Sequence, residues 1–399
     1  MKQTAAPMPR ILYFFALCNL VIGSGAFVLG GILQTMSVSL NISLAAAGQA
    51  MTAYAIATAV LAPLLIILTA RWPRKRVIQL ALLLFTLGCL ICALAPNFLL
   101  LMLGRVLMGA GAMFSAAASA LAVAMVMPAQ RGRALSITFL GMSISYAVGV
   151  PVGAWLGFEY GWRVPVWLSA AASLSALLAA SVLLPNTMAG GSASFAGFAA
   201  AARQGAVLRI WLRTLLYFVA IFSVFAYIGP VLQALNPLDS TRLSMTLALF
   251  GLAGVAGTLT GGWATDRFGA VPTMAVQLLA LITTMCLLPL TTGNTLAMLA
   301  ALVAWGLAGF GLMSPQQSRL ASLSPAQAPL LLSLNASMLY IGTALGAVIS
   351  GSFIDIAGLR HLAWVGAPFG LAALLTLWFD RVPGAAAAIG SRKPSPHTR

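Results

Sequence analysis

The sequence predicts an all-α membrane protein of twelve transmembrane helices in two pseudo-symmetric six-helix halves. Three observations carry that prediction. The 399 residues are 61% hydrophobic and only 7% charged, too little polar surface for a water-soluble globule. Charges arrive at intervals, and the apolar runs between them reach the roughly 20 residues that cross a bilayer core. The chain also echoes itself. Arg105-x-x-x-Gly109-x-Gly111 returns as Trp305-x-x-x-Gly309-x-Gly311, at a constant offset of 200 (305 − 105, 309 − 109, 311 − 111).

The first element follows MKQTAAPMPR. Lys2 and Arg10 ahead of an apolar stretch look like the start of a signal peptide, but the run from Ile11 to about Met36 is too long for a signal core. No convincing cleavage site interrupts it, so it is the first span. Further spans are expected at 45–70, 77–95, 98–127, 134–158, 164–184, 211–235, 243–265, 271–290, 296–318, 328–354 and 361–379. The Gly-, Ala- and Ser-rich stretch NTMAGGSASFAGFAAAARQGAV splits the chain near its middle. The domains are therefore a first half at 1–185, a cytoplasmic linker at 186–210, a second half at 211–381 and a cytoplasmic tail at 382–399. Two repeated halves around a linker is the arrangement of a secondary transporter.

The loops set the orientation. Lys2, Arg10, Arg71, Arg74, Lys75, Arg76, Arg131, Arg133, Arg203, Arg209, Arg213, Arg267, Arg319, Arg381, Arg392, Lys393 and Arg399 fall on one side; Arg163, Arg242 and Arg360 fall on the other. Seventeen against three places both termini in the cytoplasm, with Arg105 left inside the membrane. This asymmetry accounts for the formal charge of +16 without an acidic partner. The basic residues sit in short loops between apolar runs, not on a soluble face with aromatic company, so nucleic-acid binding is not expected. The four cysteines all lie in apolar runs. Cys89-x-x-Cys92 has redox spacing in the wrong context and reads as helix packing. Two peripheral histidines, His361 and His397, assemble no metal site. Nor do five peripheral acids (Glu159, Asp239, Asp266, Asp355 and Asp380) provide a catalytic constellation. No cofactor and no enzyme activity are expected.

Three motifs carry function. GGWATDRFG at 261–269 joins spans eight and nine, with Gly262 four residues before Asp266, Arg267 beside it, and Gly269 permitting a tight turn. LGRVLMGAGA places Arg105 in span four. GVPVG places Gly149, Pro151 and Gly153 in span five, where small residues let backbones approach and a proline favours a kink. Together with GQAMTAYAIATAVLAPLL at 48–65, these closely resemble the major facilitator superfamily, in particular its twelve-span drug/proton antiporters of the arabinose-efflux and chloramphenicol-efflux type. The resemblance covers essentially the whole chain. It implies that Gly262, Asp266, Arg267 and Gly269 form a gate latch, that Arg105 serves coupling or the central cavity, and that Gly149, Pro151 and Gly153 mark an exporter.

Two departures from that pattern bear on mechanism. In the first half the latch aspartate is replaced by Ala70 and the turn glycine by Pro73. In span one, Ala26 stands before Phe27 where relatives often carry a carboxylate, and no carboxylate falls near mid-membrane elsewhere. An arginine in lipid costs about 2.5–3.5 kcal/mol on insertion scales, so Arg105 is expected to face a bundle interior or cavity. By depth, Asn19, Ser24, Tyr54, Tyr146, Tyr217, Phe222, Phe225, Asn335 and Tyr340 are the candidates for substrate-pocket lining. The expected function is export of a small neutral or weakly anionic molecule from the bacterial inner membrane, with protons as coupling ion. An uncoupled facilitator or importer on the same fold is the alternative, and a membrane-embedded enzyme a remote one. The expected partners are that substrate and the lipid bilayer, around a monomer.

Overall fold

The computed structural model describes residues 8–127, 130–184, 204–323 and 328–378. Its described residues are helices and short connections. In chain order the helices are α1 (Ile11–Ser39), α2 (Leu44–Leu68), α3 (Arg74–Leu94), α4 (Phe98–Ala124), α5 (Arg133–Glu159), α6 (Arg163–Leu183) and α7 (Gly205–Phe225). Then come α8 (Ser240–Phe268), α9 (Ala270–Thr291), α10 (Thr295–Leu320), α11 (Ala328–Ala357) and α12 (Leu362–Leu375). Eleven are long and apolar enough to cross a membrane, and α12 is a shorter twelfth.

The ends of these helices explain themselves locally. α2, α4, α8 and α10 begin with Ser43, Asn97, Asp239 and Asn294, whose side chains accept from the amides of Ala46, Leu100, Arg242 and Ala297 at 2.7–3.1 Å. Pairwise these are equivalent positions of the two halves. Gly269 takes φ +87° and turns the chain sharply from α8 into α9. Two breaks also repeat at the offset of 200: α4 is interrupted at Ala112 and α10 at Leu312.

The packing repeats as well. In the first half α1 lies on α5, α2 on α4 and α3 on α6; in the second α7 lies on α11, α8 on α10 and α9 on α12. Between halves, α2 packs on α11 and α5 on α8. One end of the bundle carries Arg71, Arg74, Lys75, Arg76, Arg131, Arg133 and Arg267, and is called the basic end below. At the opposite end the halves close on each other: Tyr227 lies over Gly48 and Gly351, Gly229 rests on the Gly31 carbonyl, and the Ser240 hydroxyl donates to Glu159.

The structure corrects three details. Span seven starts at Gly205, not 211, and so takes in the end of the assigned linker. It stops at Phe225 and resumes as a short helix, Ile228–Leu235. The structure also moves Arg213 from a loop charge to a side chain buried inside α7, because the helix begins two turns earlier than composition suggests. In span five a π-turn at Ser145–Gly149 lies directly before Pro151, the second residue of the α-helix that resumes at Val150. Asp380, the tail at 382–399 and linker residues 186–203 lie outside the described residues.

Candidate functional site

Arg105 is 1% exposed and its donors are all engaged. Nε donates to the Ala50 carbonyl at 3.0 Å, Nη1 to that of Gly25 at 3.0 Å and Nη2 to that of Ala26 at 2.7 Å. The thioethers of Met108 and Met51 lie at 3.8 and 3.7 Å from Nη1 and Nη2. The guanidinium carbon stands 4.8 Å from the centre of the Tyr54 ring. Five N–H groups thus meet three carbonyls and two soft acceptors, with an aromatic face above. A carbonyl has two lone pairs, so Gly25 and Ala26 can accept from Arg105 and still keep their helical bonds. The small void beside the guanidinium is bounded by Gly25, Cys92, Met108, Val166 and Ser169, all of the first half. Arg105 therefore clamps α1 and α2 to α4 within that half and keeps no strong donor for a solute between the halves.

The nine depth-selected residues divide into two groups. Tyr54, Tyr146, Phe222, Phe225 and Tyr340 come together around Phe27. Phe27 stacks on Tyr146 (centroids 5.1 Å) and meets Tyr54, Phe222 and Phe225 at 5.9–6.3 Å. Tyr54 reaches across to Tyr340 at 6.2 Å, and Tyr146 to Phe225 and Phe310 at 5.8 and 4.9 Å. Rings of both halves meet in this cluster, Phe27 against Phe222 and Phe225, Tyr54 against Tyr340 and Tyr146 against Phe225 and Phe310, so it sits where the halves meet. Tyr217 joins its edge through Phe218, which stacks on Phe222.

The others turn away. Asn19 is fully buried between α1, α4 and α5, donating to the Thr138 carbonyl at 2.9 Å and accepting from Ser115 at 2.6 Å. Ser24 bonds its own helix at Leu20 and packs over Gly149. Asn335 is buried against α7, where its Oδ1 lies 2.7 Å from the Thr214 hydroxyl. Depth was enough to choose these residues, but not to say which way each faces. Phe27, Phe218, Phe250, Trp305 and Phe310 were missed for the same reason: apolar rings are common at every depth of a membrane helix.

The glycines of GVPVG do what their size allows. Gly149, Gly153 and Gly157 recur every four residues along α5 and seat Ser24, Val28 and Ile32 of α1. A side chain on any of them would overlap that helix. Gly261 and Gly311 likewise bring α8 and α10 together. The latch residues are placed differently. Gly262 has the Ser314 hydroxyl 3.8 Å from where a Cβ would stand, while Asp266, Arg267 and Gly269 are exposed at the basic end.

This geometry of paired halves, close glycine contacts and a cluster at their junction agrees with comparison to known proteins. The family profile described as Major Facilitator Superfamily matches residues 15–324 and again 210–398. The chain belongs to that superfamily. Its relatives include the inner membrane transport protein YdhP of Escherichia coli (strain K12), 30% identical over 351 residues, covering 86% of this chain and 90% of the relative. The MFS-type transporter YbcL of Bacillus subtilis (strain 168) is 29% identical over 358 residues, covering 89% and 92%. Among solved structures, a D-xylose–proton symporter superposes with a TM-score of 0.78 at 16% identity, covering 94% of this chain and 97% of the other. The human organic anion transporter MFSD10 does so with 0.70 at 17%, covering 93% and 100%. These distant likenesses establish the facilitator fold. Within it, the second buried arginine, Arg213, donates from Nε to the Thr376 hydroxyl at 2.8 Å and from Nη2 to the Thr376 carbonyl at 3.2 Å, tying α7 to the end of α12.

Proposed function

We propose that this facilitator exports a small neutral or weakly anionic molecule across the bacterial inner membrane by alternating access, in exchange for protons. It acts as a monomer with both termini in the cytoplasm. Halves at 1–185 and 211–381 move about the cluster, joined by the 186–210 linker, and 382–399 is a cytoplasmic tail. The observation that carries the substrate reading is the aromatic cluster around Phe27. Its rings come from both halves, and the one formal charge nearby, Arg105, is already spent on backbone carbonyls. Such a surface suits an apolar or aromatic body and gives a cation no counter-charge. The exporter direction rests on the resemblance of the Gly149–Pro151–Gly153 motif. With the basic end in the cytoplasm, closure at the opposite end corresponds to an inward-facing form.

The test has two parts. A growth-protection screen in an efflux-deficient host should find at least one neutral or weakly acidic compound whose toxicity the protein relieves. Inverted vesicles should then show proton release when that compound is added. Protection limited to cations would overturn the substrate reading. A second reading, an uncoupled facilitator or importer, is favoured by one specific observation: the four described carboxylates, Glu159, Asp239, Asp266 and Asp355, are exposed and none lies mid-membrane. Solute movement without proton movement would select it. Reporter fusions at Asn186 and Arg399 should both give a cytoplasmic signal, and a periplasmic signal at either overturns the orientation.

A further inference from the structure

The loops that join the second helix to the third in each half lie at the same end of the bundle and differ in charge. In the second half, α8 passes to α9 with one acid and one base, Asp266 and Arg267. In the first, Arg71, Arg74, Lys75 and Arg76 fall within six residues and no acid accompanies them. Orientation alone does not require this, because the second-half loop sits at the same end with its charges cancelled. The first-half loop is also firmly built. The Thr69 hydroxyl donates to the Leu65 carbonyl at 2.6 Å, the Trp72 amide to the Thr69 carbonyl at 2.9 Å, and Pro73 opens α3. Lys75 donates to the Ser181 carbonyl in the last turn of α6 at 2.7 Å, and Gln79 to the Ser181 hydroxyl at 3.0 Å. Arg71, Arg74 and Arg76 have no hydrogen-bond or ion-pair partner among the described residues.

The surface running on from the loop identifies the partner. Arg76 heads one face of α3, along which Leu83 and Leu87 follow about two and three turns on, both exposed. α6 packs beside α3 and adds Leu174 and Leu178, exposed as well and leading to Ser181. Trp72 is exposed among the cations, as interfacial aromatic residues are. Unpaired guanidinium groups at the head of an apolar face match a molecule with an anionic head and apolar tails. An acidic protein or a free phosphate ion would leave the apolar face unused. We propose that the 69–76 loop and the α3–α6 face form a docking surface for an anionic phospholipid. The lipid phosphate meets Arg71, Arg74 and Arg76, its acyl chains lie along the leucines, and Lys75 holds the two helices together beneath it. The surface belongs to the first half alone and stands apart from the junction of the halves, so the lipid is a partner of the fold and not its cargo. The second half offers no equivalent, because Asp266 stands in its loop and repels a phosphate.

The full chain, purified in an uncharged detergent, is titrated with phosphatidylglycerol, phosphatidylcholine, inorganic phosphate and polyglutamate while its unfolding temperature is read. Phosphatidylglycerol should raise that temperature and the other three should not. Arg76→Gln should weaken phosphatidylglycerol about fivefold, and Arg71→Gln, Arg74→Gln and Arg76→Gln together about a hundredfold. Arg267→Gln, an equal loss of charge at the same end, should leave that affinity unchanged. The single variant keeps the test open where the triple one cannot be purified. Unchanged phosphatidylglycerol affinity in Arg76→Gln overturns the surface, and so does equal weakening by Arg76→Gln and Arg267→Gln, which would reduce the effect to net charge. Stabilisation by phosphate or polyglutamate equal to that by phosphatidylglycerol would make the loop a general anion or acidic-protein site and overturn the lipid. Equal stabilisation by phosphatidylcholine would leave an acyl contact with no part for the arginines, and overturns it too.

Discussion

Where the first half carries Arg105, the second carries Trp305, and each fills the gap between a pair of helices that the repeat makes equivalent. Trp305 does so with a ring, packed 4.8 Å from Phe250 of α8. Arg105 does so with a guanidinium under Tyr54 of α2. The fold therefore does not need an arginine there, since an apolar ring satisfies the same geometry. What Trp305 cannot do is hold backbone carbonyls, and the two that Arg105 reaches on α1 belong to Gly25 and Ala26, immediately before Phe27. The arginine is thus a positioning residue. It fixes the stretch of α1 from which the central ring of the inter-half cluster projects.

That comparison is broken most directly at Arg105. Arg105→Ala removes the clamp on three helical carbonyls and opens a void the size of a long side chain, and should cost about 2–5 kcal/mol, as large-to-alanine changes in a packed interior do. Trp305→Phe removes part of a ring from a packed contact and should cost about 1–2 kcal/mol. Arg105→Lys keeps the charge but presents one centre in place of a planar fork, so it should recover less than half of the loss. Unfolding at matched detergent gives all three values. A lysine variant as stable as wild type would show that charge, and not the fork, is what the site uses.

The glycine stripes offer a comparison in which the halves should agree. Gly141 of α5 seats the Ala16 carbonyl of α1, and Gly342 of α11 seats the Leu215 carbonyl of α7. Valine at either position must push two helices apart, so Gly141→Val and Gly342→Val should each lose about 1–3 kcal/mol. The same unfolding assay reads both. Tolerance of one and not the other would mean that the two seams are not equivalent, whatever the helix pairing suggests.

The fold was legible in the sequence because membrane spans are set by run length and loop charge, both of which are local. The repeat at an offset of 200 was legible too, and it reaches down to the matched breaks at Ala112 and Leu312. The site was legible by depth but not by rotation. Tyr146 and Asn335 both lie in the right layer, yet the π-turn at Ser145–Gly149 delivers Tyr146 into the cluster while Asn335 turns onto α7. Gln316 and Gln317 are neighbours of identical chemistry, one buried and one exposed, and nothing local separates them. Arg213 was misread because span seven begins before its composition turns apolar.

The smallest expected effect, and the sharpest contrast between halves, lies at the latch. Asp266 keeps its acid where Ala70 has none. Asp266 is exposed in this conformation, which is closed at the end opposite the basic loops. Asp266→Asn should therefore change unfolding by less than about 0.5 kcal/mol, as surface substitutions do. If the latch acts when the basic end closes, the substitution weakens that conformation alone, and about 1 kcal/mol moves the ratio of the two forms roughly fivefold. Ser314, beside Gly262, reports it: a cysteine there, in a chain whose exposed Cys286 is replaced by serine, should be alkylated faster when Asp266 is asparagine. Ala70→Ser should leave that rate unchanged, because the first half has no acid to lose. Equal acceleration from both substitutions would place a working latch in each half and remove the asymmetry.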